Sequence, residues 1–458
     1  MSATPIQTTT RLQRDVLLVA ILSSFVAFLD GSVVNVALPA IEEELGGGLA
    51  VQQWVVDAYL LTLGAFILLA GSLSDQFGRI RILRIGLIGF LATSMMCALA
   101  PNALVLVLAR ALQGAAGALL VPSSLALIIT AFEGPAESKA IGRWTAWAGT
   151  AAIVGPLTGG LFVDTLSWRW VFAINAVPIA LTLWWLPRLA TLPDQRKRVP
   201  IDRLGALLAV IGLGGTVFAL IEQPRLGWSS PAVWAPLVIG LLALAGFVVQ
   251  ELRTRDPMVP PALFRNRNFA VGNVATLAVY AALSLGMFTI TLFLQQVGGY
   301  SATVAGLVLL PATLMMLGLS SVFAGMAGRY GPRWFMALGP VIAGAGFLLI
   351  TSVGSDPDIW TQVLPGLIVF GLGLSITVAP LTAAILADIE PAHAGVGSAV
   401  NNAVARIAGL LGVAAVAVIS GGVLDVDGTR RALVATAVLL FVGGLVSAVG
   451  ITNAANRD

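Results

Sequence analysis

Fourteen apolar runs of about 20 residues, parted by short clusters of charge, constrain this chain more than any other feature. An α-helix rises about 1.5 Å per residue, so each run is long enough to cross about 30 Å of hydrocarbon. The runs cover approximately 16–39, 51–72, 82–100, 103–130, 140–163, 170–187, 203–222, 232–251, 269–294, 302–324, 335–353, 359–381, 398–422 and 431–452. Every backbone polar group in lipid must be satisfied from within, which an unbroken run achieves as a helix. The ten-residue alternation of a membrane β-barrel is not present. Only 10% of residues are charged, against about a quarter in soluble domains. An all-α, polytopic membrane protein follows.

Charge orients the runs. If the N-terminus is cytoplasmic, nineteen of the 25 Lys and Arg fall in cytoplasmic segments. Arg169, Arg225, Arg430 and Arg431 fall outside, and Arg110 and Arg406 lie within runs. This asymmetry predicts both termini inside. Most tryptophans stand near run ends, as interfacial belts require, and Trp54 and Trp147 are the two that could also meet a substrate. A weak internal repeat divides the chain. GSLSDQFGRIR follows the second run and AGMAGRYGPR the tenth, with Gly331 and Arg333 in the places of Gly78 and Arg81, and Gly328 in that of Asp75. The predicted units are residues 1–187 (six helices), 188–267 (two inserted helices with basic linkers around Arg196, Lys197 and Arg198) and 268–458 (six helices).

Several functions are excluded by what the chain carries. Cys97 is the single cysteine and His393 the single histidine, so intrachain disulfides and a zinc site are not expected, nor any other metal. Neither lysine, Lys139 or Lys197, follows a glycine as a phosphate-binding loop requires, so the chain is not expected to draw energy from ATP. No paired nucleophile and base, and no cluster of His with carboxylates, suggests an enzyme. No soluble output domain accompanies the runs to suggest a sensor, and no nucleic-acid partner is expected. Arg11 and Arg14 precede the first run as in a signal peptide. That run is too long, and no small-residue cleavage pattern follows it, so it should remain as an anchor.

Charge inside the runs is costly, and it points to function. Asp30 lies mid-run, where a carboxylate costs about 2.5 to 3.5 kcal/mol on insertion scales and marks an ion, proton or substrate path. A structural carboxylate bonded to a neighbouring helix is the alternative. At 1.5 Å per residue Asp30 lies roughly 13 Å deep, Asp57 roughly 9 Å and Arg110 roughly 10 Å, which makes one layer. Arg110 can offset one acid while the other takes a proton, although Asp57 is shallow enough to be solvated at the outer mouth. Arg110, Gln113 or Gly114, and Gly117 share a helix face. In the ninth run Asn273, Thr276, Tyr280, Ser284, Met287 and Thr291 form a polar stripe, suited to lining a pocket or to gluing helices. Pro156 kinks the fifth run, and Gly155 and Gly159 admit a close backbone. Arg406 is expected to snorkel toward the cytoplasm, and Glu222 and Glu251 lie at run ends.

Four stretches carry a resemblance. LDGSVVNVALP (Leu29 to Pro39), GSLSDQFGRIR, LARALQGAAGALLVP (Leu108 to Pro122) and GTAAIVGPLTGG (Gly149 to Gly160) resemble the major facilitator superfamily. Within it they resemble the fourteen-span drug:proton antiporter branch. All four lie in the first half. The resemblance implies alternating access by two rocking bundles, proton uptake coupled to export, and substrates that are often hydrophobic cations. It also implies a cytoplasmic gate latched by Gly71, Asp75, Gly78 and Arg79, with Gly155, Pro156 and Gly159 as hinge or seal.

The resulting expectation is a monomeric, proton-driven exporter in a bacterial cytoplasmic membrane, without a cofactor, whose partners are small hydrophobic molecules, protons and lipid. Asp30 is the expected proton carrier, Arg110 its partner and Asp57 an accessory acid. Gln113, Asn273, Thr276, Tyr280 and Met287 are the expected substrate contacts. Two aspartates and one arginine leave the layer with one negative charge, which favours monocations. Export of an endogenous lipid or secondary metabolite is the alternative.

Overall fold

Apolar runs in a chain that must satisfy its own backbone fold as helices, and all fourteen do so. The computed structural model describes residues 10–192, 202–255, 257–387, 389–390 and 394–453. His393 and the basic run at Arg196, Lys197 and Arg198 lie outside the described residues. The helices long and apolar enough to cross a membrane are α1 (Arg11–Leu45), α2 (Gly48–Phe77), α3 (Arg79–Ala98), α4 (Ala103–Ala131), α5 (Gly134–Thr165), α6 (Trp170–Leu189) and α7 (Arg203–Leu226). They continue with α8 (Pro231–Arg253), α9 (Arg267–Gln296), α10 (Ala302–Tyr330), α11 (Arg333–Ile350), α12 (Ile359–Ala387), α13 (Gly395–Ser420) and α14 (Val426–Gly450). No strand occurs among the described residues.

Local chemistry sets the interruptions. In α1 the helix tightens at Asn35–Ala37, just before Pro39, whose missing N–H cannot bond the carbonyl of Asn35. In α4 the break at Leu119 follows Ala118, the carbonyl that Pro122 would have served. Gly78 joins α2 to α3 at φ +96°, a left-handed conformation that a side chain would strain.

Packing sorts the helices into two groups. In the first, α1 lies against α4, α5 and α6, while α4 also packs on α2 and α3. In the second, α9 packs on α12, α13 and α14, α11 on α12 and α14, and α10 on α12. The groups meet where α5 crosses α10 and where α2 crosses α13. The inserted helix α7 packs on α8 and also rests against both α2 and α13, so it bridges the groups. Large apolar side chains such as Trp184, Leu242 and Val449 point outward from the bundle, the arrangement lipid demands.

Candidate functional site

Four helices of the first group converge on Asp30. One carboxylate oxygen, Oδ2, accepts from Arg110 Nη1 of α4 at 2.5 Å. The other, Oδ1, accepts from Gln113 Nε2 of α4 and Asn175 Nδ2 of α6, each at 2.9 Å. Ser94 of α3 closes the ring by accepting from Gln113 at 2.8 Å and from Asn175 at 3.3 Å. Arg110 has further partners: Nη1 also donates to Gln113 Oε1 at 2.7 Å and Nε to the Val55 carbonyl at 2.8 Å. Its guanidinium lies 4.3 Å from the Tyr59 ring centroid and 5.6 Å from that of Phe172. Asp30, Gln113, Asn175 and Ser94 are all buried, and Arg110 with them. A buried charge pair is tolerable only when its remaining donors and acceptors are satisfied, and here each carboxylate oxygen is.

Asp57 contrasts with it. The carboxyl is fully buried, and neither oxygen has a hydrogen-bond partner among the described residues. Solvation at an outer mouth is therefore not its situation. It lies one turn after Gln53, whose Nε2 donates to the carbonyls of Val413 and Ala414 on α13 at 2.6 and 3.0 Å. Seven residues further, a Cβ at Gly64 would stand 3.7 Å from that of Arg406, again on α13. The face of α2 bearing Gln53, Asp57 and Gly64 is the one turned to the second group.

The stripe of α9 divides. Asn273 and Thr276 accept from Asn401 Nδ2 of α13 at 3.2 and 2.9 Å, so they join helices. Met287 and Thr291 line a cavity of about 290 Å³ between the groups, together with Ser32, Asn35, Pro156 and Met316. Gln113 is held at Asp30 and does not line this cavity, and Tyr280 is absent from its wall. Trp54 donates to Glu222 Oε1 of α7 at 3.1 Å, and Trp147 is exposed.

The two ends of the molecule differ. At the end bearing Glu44, α5 and α10 are pressed together. A Cβ at Gly306 would meet the Pro156 carbonyl oxygen at 2.6 Å, and one at Gly160 would meet Thr303 Cα at 2.5 Å. Asp164 of α5 caps α10, with Oδ1 accepting from Ala302 N at 3.0 Å and Oδ2 from Thr303 N at 2.9 Å. Gly155 and Gly159 face the other way, onto Ser32, Val33 and Val36 of α1. At the end bearing Arg11 a cavity of about 500 Å³ opens, walled by Gly71, Asp75, Trp144, Met258, Val396 and Asn402 among others. Here Asp75 pairs with Arg79 at 3.3 Å, and Arg79 reaches the Ala126 carbonyl at 3.0 Å and the Thr130 hydroxyl. Both ion-pair partners remain partly exposed, so the pair locates a turn more than it stabilises one.

Sequence reading missed Asn175, Ser94, Gln53 and Asp164. Asn175 interrupts an apolar stretch and Asp164 ends one, and those were their signals. It also misplaced Arg406. The guanidinium does not snorkel to an end but lies 5.3 Å from the Phe28 ring centroid on α1, because α13 turns that residue inward toward the other group.

Comparison with known proteins follows the same lines. The sequence profile of the Major Facilitator Superfamily matches residues 20–413. A puromycin resistance protein of Streptomyces alboniger is 37% identical over 418 residues, which cover 89% of this chain and 81% of that protein. A methylenomycin A resistance protein of Bacillus subtilis (strain 168) is 34% identical, covering 88% of this chain and 87% of the relative. The cephamycin export protein CmcT of Amycolatopsis lactamdurans is also 34% identical, covering 88% and 84%. A crystal structure of peptide transporter POT in complex with sulfate superposes with a TM-score of 0.71 at 16% identity, over 97% of this chain and 95% of that one, a likeness of fold.

Proposed function

The chain belongs to the Major Facilitator Superfamily, and from that premise we propose that it is a proton-coupled secondary exporter of hydrophobic, drug-like molecules. It is a multi-pass membrane transporter and not an enzyme. Relatives named for puromycin and methylenomycin A resistance and for cephamycin export support a drug-like cargo. In this reading the units 1–187 and 268–458 rock about the cavities between them, and the insertion 188–267 moves with α2 and α13. Both termini are cytoplasmic, so the cavity of about 500 Å³ opens to the cytoplasm while the Glu44 end is shut. The chain works as a monomer and takes its energy from the proton gradient alone.

The observation that carries the coupling is a buried carboxyl, Asp57, with no hydrogen-bond partner among the described residues, one turn from the hydrogen bonds that hold α2 on α13. Adding or removing a proton there breaks no hydrogen bond. Protonating Asp30 would cost either the Arg110 contact on Oδ2 or the Gln113 and Asn175 contacts on Oδ1, and would leave Arg110 without its counter-charge. The roles expected from sequence are thereby exchanged: Asp57 changes its charge, and the Asp30–Arg110 pair holds the helices that present it. Proton release on substrate addition to purified protein tests this. It should vanish in Asp57→Asn, and release at wild-type stoichiometry in that variant would return the role to Asp30.

A further inference from the structure

The mechanism above leaves one membrane-embedded charge unused, that of Arg406 near the middle of α13. Its guanidinium stands over Phe28 of α1, its Cβ lies beside Gly64 of α2, and its helix packs on α9. Helices α1, α2 and α9 therefore surround it, not lipid, yet the residue is only partly buried. Among the described residues it makes no hydrogen bond or ion pair, whereas Arg110 is paired with Asp30 and bonded to the Val55 carbonyl. A cation in a span without a counter-charge is costly and marks a binding site by default.

Two further observations connect this cation to cargo. Asn402 lies one turn nearer the Arg11 end on the same face of α13, lines the cavity of about 500 Å³, and has a buried Oδ1 without a partner among the described residues. The one acid on that wall among the described residues, Asp75, is paired with Arg79, so it leaves no unpaired carboxylate there to repel an anion. Counting Arg406 also changes the charge held inside the spans: two aspartates, Asp30 and Asp57, and two arginines, Arg110 and Arg406, cancel when both acids are ionised, and the surplus negative charge that favoured monocations disappears. An arginine stacked on an aromatic face keeps its in-plane N–H donors free for a bidentate carboxylate.

We propose that Arg406 receives the anionic group of the cargo, so that the exported molecules are amphipathic acids, a carboxylate or similar monoanion on Arg406 with an apolar body against Phe28 and the cavity wall. The proposal rests on the transporter reading but is tested by binding, which needs no proton gradient. Three fluorescent probes sharing one dansylated alkyl chain, and ending in a carboxylate, its methyl ester or a trimethylammonium, are titrated into purified full-length protein in nanodiscs.

The carboxylate should bind about tenfold tighter than the ester, as a charge-assisted pair implies. Arg406→Gln should remove that difference while leaving the ester's affinity within about twofold, and Arg406→Lys should keep part of it. Equal binding of acid and ester by the wild type would overturn the proposal. So would tightest binding of the trimethylammonium, or an Arg406→Gln variant that loses both acid and ester alike, as a merely structural arginine would. Arg406-dependent binding of an acid that is then not pumped would leave the site standing and refute only the proton-coupled export.

Discussion

Asp30→Asn should destabilise the protein by about 3 to 5 kcal/mol, the cost of breaking one side of a buried ion pair. The geometry leaves the amide no good orientation. With its NH₂ toward Arg110 it sets donor against the guanidinium, and turned round it sets donor against Gln113 Nε2 and Asn175 Nδ2. Arg110 would then be buried without a counter-charge. Asp57→Asn loses no hydrogen bond and should change stability little. The single cysteine supplies the assay. Cys97 is buried, 3.6 Å from Gln113 Oε1, so a thiol-reactive fluorogenic maleimide reports thermal opening of this region without any introduced label. Loss of helical circular dichroism in the same samples separates local loosening from global unfolding. The midpoint should fall sharply in Asp30→Asn and hold in Asp57→Asn. Asp30→Asn combined with Arg110→Gln should cost less than the two singles added, because the second change removes the stranded charge. An Asp30→Asn midpoint no lower than that of Asp57→Asn would refute the assignment of Asp30 as the fixed member of the pair.

Gly160→Val would place a Cβ about where Thr303 Cα now blocks it, at 2.5 Å, so α5 and α10 must part; transport should be lost with the protein still in the membrane, and unaltered transport would show that the Glu44 end need not close this tightly. Asp164→Ala removes the cap on Ala302 and Thr303, worth about 1 kcal/mol, and should shift the population toward opening at that end about fivefold. Spin labels flanking the α5–α10 contact would measure the shift, and an unchanged distance distribution would remove Asp164 from the seal. For orientation, single cysteines at Trp228 and Gly134 in a Cys97→Ser background should react and not react, respectively, with an impermeant thiol reagent added to intact cells. Reaction at Gly134 from outside would invert the molecule.

The helices were legible because the bilayer imposes a length, and a run such as 103–130 against an observed Ala103–Ala131 leaves little to interpret. The Asp30–Arg110 pairing was legible for a similar reason: depth follows from residue count, and two opposite charges at one depth in a medium that punishes isolation will meet. Rotation about each helix axis was not. Counting from the ends placed Asp57 in the same layer, yet its face is set by the packing of α2 on α13, which no local pattern encodes. Arg406 was misread because a long side chain fixes the depth of its Cα and not that of its guanidinium. Asn273 and Thr276 could be read as pocket or as helix glue, because the partner that joins them, Asn401, lies on another helix.

The position of Asp57 also says how a proton could move a helix. Gln53 and Asp57 share one face of α2, and Gln53 is the side chain that bonds the carbonyls of Val413 and Ala414 across the interface. A ligand shifts a conformational equilibrium only by the difference in its affinity for the two states. In the state described here Asp57 is sealed between the groups with nothing to bond, so a negative charge is poorly accommodated, whereas separation of α2 from α13 would admit water to it. Charging Asp57 therefore favours the state in which the Gln53 contacts are broken, and neutralising it favours the state in which they are made. By linkage, breaking the Gln53 contacts must change the proton affinity of Asp57 by the same free energy. In the proposed mechanism Gln53 and Asp57, one turn apart, would tie protonation to the α2–α13 contact, and the bond from Arg110 Nε to the Val55 carbonyl holds α2 between them to the Asp30–Arg110 pair.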